Sequence, residues 1–126
     1  MEWQDGALTM AGLIGSGTAV VHGILVQRLM VRPFEAPGAA GLKMSAPIRR
    51  LVPLLLHFST IAWSLGGLAL VAAANGSDSG VRLETALFVG SLYLFGAAAN
   101  FWATRGRHPG WMLMAAALVL IAVGIA

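Results

Sequence analysis

The chain contains no cysteine. Disulfides, thiolate metal sites and dithiol redox chemistry are therefore excluded, including the quinone-linked disulfide exchange of some small four-helix membrane enzymes. Charge is almost as scarce: charged residues make up 10% of the 126, whereas a soluble domain carries about a quarter. No pair of carboxylates stands inside any long apolar run, and there is no phosphate loop and no Ser, His and Asp constellation. Hydrolase and kinase chemistry has nothing to rest on.

What is present is apolar. Hydrophobic residues make up 58% of the chain and the mean hydropathy is +0.80, spread over several long runs rather than one amphipathic stripe. That pattern predicts an integral helical membrane protein. The net charge of +3 would suggest nucleic acid in a soluble protein. Here the cations flank apolar runs, where membrane topology accounts for them, and no nucleic-acid partner is expected.

The organising stretch is Arg49 to Ala74, RRLVPLLLHFSTIAWSLGGLALVAAA, uncharged from Leu51 onward. Roughly 24 helical residues at about 1.5 Å each exceed the ~30 Å hydrocarbon core. Apolar runs predict four spans, at about 7–29, 50–74, 83–103 and 109–126, within a single domain covering 1–126. Glu2 and Asp5 precede the first run, where a secretory leader would carry cations, so it is read as a span. Between the spans, Pro33, Pro37 and Pro47 predict a loop over 30–48, and NGSDSG at 75–80 a turn. RGRHPG at 105–110 predicts another, with Pro109 suited to the first turn of a helix. The last span is short, roughly 27 Å, and crosses only with little tilt.

The expected fold class is an all-α membrane protein, four transmembrane helices in an up-down antiparallel bundle. Arg28, Arg32, Lys43, Arg49, Arg50, Arg105 and Arg107 fall on one side of it, and Glu2, Asp5, Asp78, Glu84 and Arg82 on the other. The excess of cytoplasmic cations then places both termini outside the cytoplasm of a bacterial inner membrane.

Each of the first three spans carries one polar seam at helical spacing. These are Ala11, Gly15, Thr18 and His22; His57, Thr60 and Ser64; and Tyr93, Gly96, Ala97, Asn100 and Thr104. Small residues let backbones approach, and hydroxyl, amide and imidazole groups bond across, so the seams predict the inner faces of the bundle. Counted from Arg28, Arg50 and Arg105, the residues His22, His57 and Asn100 lie at similar depth, roughly 8 to 11 Å from the boundary. An ionisable residue within a span is a functional candidate. The candidates for a ligand site or proton relay are His22, His57, Asn100, Tyr93, Thr60 and Ser64. A neutral histidine also has an ordinary role, bonding a carbonyl or a serine and joining two helices, and that reading stays open. His108, in the basic turn before Pro109, reads as an exposed loop residue.

HG at 22 and 23, RP at 32 and 33, RR at 49 and 50, then His57 and Thr60 resemble uncharacterised small four-transmembrane-helix bacterial inner-membrane proteins. The resemblance implies a topology and no chemistry. Small multidrug exporters need a carboxylate in span one, and this span has none; FST at 58–60 lies in the wrong span for a fluoride channel.

The expected function is that of a non-enzymatic accessory or scaffold subunit, packed against copies of itself or a larger membrane partner. One alternative is a b-type haem or quinone-linked electron carrier using His22 and His57, with Arg28 and Arg50 toward the haem propionates. A small oligomeric permease is another. No metal site is expected, since zinc or copper would need further ligands.

Overall fold

The computed structural model describes residues 2–38, 44–76 and 78–126, so Lys43 of the basic loop lies outside the described residues. Helix α1 (Glu2–Val26) runs into a wider π-turn, Gln27–Val31, and a last short turn, α2 (Arg32–Glu35). Three further helices follow: α3 (Ala46–Gly76), α4 (Ser79–Thr104) and α5 (Gly110–Ile125). Strands are absent among the described residues. Three helical segments, Glu2–Glu35, Ala46–Gly76 and Ser79–Thr104, are long and apolar enough to cross a membrane. Helix α5 is apolar but has only 16 residues.

The first segment departs from the expected boundary. A loop was predicted from residue 30, yet the helix continues to Glu35, through Pro33. Proline donates no N–H and its ring crowds the carbonyl four residues earlier, here that of Leu29. The chain accommodates it by winding wider one turn before, so that the Arg32 N–H bonds the Gln27 carbonyl five residues back.

The other ends follow their local chemistry. Asp78 caps α4, its carboxylate accepting from the Val81 N–H at 2.9 Å. Helix α4 stops at Arg105, which is left-handed at φ 52°, and Gly106, at φ 74°, donates to the Phe101 carbonyl. The Trp111 indole N–H then bonds the Gly106 carbonyl, and Phe101 meets the Trp111 ring edge-on at 5.1 Å. These contacts fix the corner between α4 and α5.

Helix α1 packs against α3 and α5, and α4 packs against the same two helices. The core between them holds Leu8, Leu70, Val89, Tyr93 and Met114, all fully enclosed. Close approach comes from glycine. Gly12 of α1 and Gly67 of α3 face each other so tightly that a Cβ on either would strike the carbonyl of the other. The outward faces carry exposed Leu54, Phe58, Phe88, Phe95 and Trp102, an apolar exterior that a helix bundle presents to lipid or to a protein partner.

Two clusters mark opposite stretches of the helices. In one, Asp5 is ion-paired with Arg82, the Gln4 amide donates to the Ala126 carbonyl, and the Asn75 amide donates to Thr9 Oγ1 at 3.2 Å. The other holds the histidines.

Candidate functional site

His22 sits near the end of α1, beside Gly23. A Cβ at Gly23 would lie 2.6 Å from the Thr60 methyl group, so α1 and α3 are close-packed there. That closeness brings His22 Nε2 to 3.1 Å from Ser59 Oγ and sets the imidazole 4.8 Å from the Trp63 ring, tilted by 54°. One turn further along α1, the π-turn begins at Gln27. Its side-chain oxygen lies 2.9 Å from His57 Nε2, so the imidazole donates to it.

The two imidazoles therefore take different partners. Their surroundings differ as well: His57 lines a shallow hollow with Gln27, Arg28, Arg32 and Thr60, while His22 lines a cavity between α1 and α5. Haem ligation by this pair would require both Nε2 atoms to leave Ser59 and Gln27 and turn toward one iron. The cations assigned to the propionates are also apart, Arg28 beside His57 and Arg50 in a separate hollow with Glu35 and Arg49. No group of three His, Cys, Asp or Glu side chains able to hold a metal occurs among the described residues.

Most of the remaining candidates fasten helices. Tyr93 is fully buried, its phenol pressed into the space left by Gly15 of α1 and donating to the Trp63 carbonyl of α3 at 3.2 Å. Ser64 contributes its backbone carbonyl, which accepts from Ser16 Oγ at 3.1 Å. Thr60 packs its methyl on Gly23, and its Oγ1 is buried without a hydrogen-bond partner. The same is true of Asn100 Oδ1. A buried polar atom left unpaired is costly.

Asn100 belongs to the cavity that His22 lines. The space measures about 250 Å³ and is walled by Trp63 of α3, Gly96 and Asn100 of α4, and Met114 of α5. Gly96 makes room for the Trp63 wall, since a Cβ there would press on the ring. Of the residues lining it, Val21 of α1 and Leu113 of α5 are exposed. His108 closes one end. The ring's Nδ1 accepts from the Gly110 N–H at 3.1 Å, which fixes the imidazole at the start of α5. In the neutral ring that bond leaves the proton on Nε2.

Sequence reasoning did not single out Ser59, Gln27 and Trp63, whereas His108 is exposed in the turn before α5, as expected. Ser59 and Gln27 stand as polar residues within apolar runs, which was the available signal. Their partners depend on direction around the helix axis, and depth does not supply it. No family model, curated protein or solved structure matches the chain.

Proposed function

We propose that this chain is a four-span bacterial inner-membrane protein, an up-down antiparallel bundle in which α5 is the fourth span. The cluster joining Asp5 with Arg82 and Gln4 with Ala126 supports the alternation, because it gathers the start of α1 and α4 with the end of α5. Arg28, Arg32, Arg49, Arg50, Arg105 and Arg107 then belong to the cytoplasmic side and both termini to the other. In this reading His22 and His57 lie within the spans, and their bonds to Ser59 and Gln27 hold α1 to α3.

The function we infer is that of a non-enzymatic accessory subunit. The observation that carries it is a groove of about 650 Å³ between α3 and α4, lined by Phe58, Ile61, Leu65, Phe88 and Leu92. Its α3 wall also carries Ala62, Gly66 and Ala69. These lie four and three residues apart, a row of small side chains on one face of the kind that lets a second helix approach. Glu84 stands at one end of the groove. The occupant that fits is an apolar transmembrane helix of a larger partner, with a Lys or Arg at the end that meets Glu84.

A photo-crosslinking residue in place of Phe88 should capture one membrane protein in intact cells, and the same protein should co-purify after mild solubilisation. Glu84→Lys should weaken both. Recovery of the free chain alone, or capture unaffected by Glu84→Lys, would count against this function.

A further inference from the structure

Membrane topology explains why cations collect at one end of the bundle, but not why two of them line a hollow that is otherwise partly apolar. Arg28 and Arg32 line the hollow at the end of α1 together with Val20 and Ile24, which are 58% and 48% exposed. Val20 and Ile24 come eight and four residues before Arg28, so the apolar part reaches roughly 12 Å along the helix axis from that arginine. In the bilayer placement proposed above, a charged rim lies at head-group level and an apolar trough runs from it among the lipid tails.

The charge of this hollow is not answered within the chain. Gln27 and His57, which also line it, are bonded to each other at 2.9 Å. No carboxylate lines it, and among the described residues only Asp5 and Arg82 form an ion pair. Glu35, three residues after Arg32, lines the neighbouring hollow with Arg49 and Arg50 instead. The two basic hollows therefore differ: one has two arginines and no carboxylate, the other two arginines and one carboxylate.

A phosphodiester suits the first, because guanidinium groups present paired N–H donors to phosphate oxygens. A choline or ethanolamine head group brings a cation of its own, and no carboxylate is there to receive it, so charge complementarity favours a head group of net negative charge. Free phosphate makes no use of the exposed Val20 and Ile24, whereas an acyl chain covers them. We propose that this hollow binds an anionic phospholipid, with its phosphodiester at Arg28 and Arg32 and one acyl chain along Ile24 and Val20. The proposal rests on the bilayer placement and is independent of the α3–α4 groove.

The test uses the full chain, with a photo-crosslinking residue in place of Ile24, in vesicles of equal phosphatidylglycerol and phosphatidylcholine with matched acyl chains. Both leaflets hold the same lipids, so the direction of insertion does not affect the result. Mass spectrometry reads the ratio of the two lipid adducts. A cation at the membrane surface is worth about fivefold in affinity for anionic lipid, so the two arginines should give about a thirtyfold excess of phosphatidylglycerol. Arg28→Gln and Arg32→Gln should each lower that excess about fivefold and together bring it near parity. Both side chains are exposed, and unchanged helix content would show that the fold is kept. Arg49→Gln with Arg50→Gln removes as much charge from the same end and should leave the ratio at Ile24 as it is. Glycerol phosphate added to the buffer should displace neither lipid. Parity in the unaltered chain, an excess that survives loss of Arg28 and Arg32, or one that falls as far when Arg49 and Arg50 are replaced, would overturn the proposal. So would displacement by glycerol phosphate. A chain that does not float with the vesicles overturns the bilayer reading and this site with it; a floating chain without the preference overturns this site alone.

Discussion

The α1–α3 seam and the α3–α4 seam use the same kinds of residue and end up differently. Along α1–α3, Gly12 meets Gly67, Gly23 meets Thr60, and polar links run the full length: Thr9 to Asn75, Ser16 to the Ser64 carbonyl, His22 to Ser59 and Gln27 to His57. Along α3–α4 the links are fewer. Tyr93 bonds the Trp63 carbonyl, Gly96 receives the Trp63 ring and Gly66 faces Val89, and beside these contacts an open groove runs between the two helices. Glycine alone does not close an interface. Where a glycine faces another backbone the helices touch; where it faces a large side chain, that side chain becomes the spacer.

The sharpest way to break this contrast is at a point the two seams share. Tyr93 touches α1 through Gly15 and α3 through the Trp63 carbonyl, so Tyr93→Ala should cost about 3–5 kcal/mol, the range for deleting a buried aromatic ring. Equilibrium unfolding in detergent micelles would register it. Tyr93→Phe, which keeps the ring, should cost no more than about 1 kcal/mol. A matched pair of alanines comes next. At Gly12 the new methyl strikes the Gly67 carbonyl, which cannot move without parting the helices, and Gly12→Ala should destabilise by about 1–3 kcal/mol. At Gly66 the methyl meets the Val89 side chain at 3.1 Å, which yields by a small rotation. The helix itself gains roughly 0.5–1 kcal/mol on losing a glycine, so Gly66→Ala should be close to neutral. Equal losses at both positions would show the two seams to be alike.

Much of the fold was legible in the sequence because its signals are local. The break between α3 and α4 falls within the predicted turn at 75–80, although α3 keeps 75 and 76 and α4 already holds 79 and 80. The corner at 105–110 and the inward faces of α1 and α4 follow from composition and 3.6-residue spacing: Ala11, Gly15, Tyr93, Gly96 and Ala97 are all buried. The extension of the first helix to Glu35 was not legible, because proline usually ends a helix and the π-turn that accommodates it has no sequence mark. The arrangement of the histidines escaped for a geometric reason. Equal height along two helices leaves the angle around each axis free. His57 and Ser59 are two residues apart, roughly 200° around α3. The α1–α3 contact turns Ser59 toward His22, while His57 meets Gln27 on the hollow shared with Arg28.

Smaller effects sharpen the same comparison. A double-mutant cycle on Gln27→Leu and His57→Phe should return a coupling of about 0.6 kcal/mol, the average for side-chain hydrogen bonds between membrane helices. A coupling near zero would remove this link from the strength of the α1–α3 seam and leave it to the glycines and the other polar contacts. Smallest of all should be Phe88→Ala, which removes an exposed ring from the open groove. Its effect on unfolding should stay within about 0.5 kcal/mol, while recovery of the partner should fall.

The π-turn at Gln27–Val31 spends one residue more than a regular turn. Every side chain beyond it is thereby rotated by about 100° relative to an uninterrupted helix. The hollow that gathers Arg28, Arg32 and His57 thus owes the bearing of Arg32 to a single surplus residue.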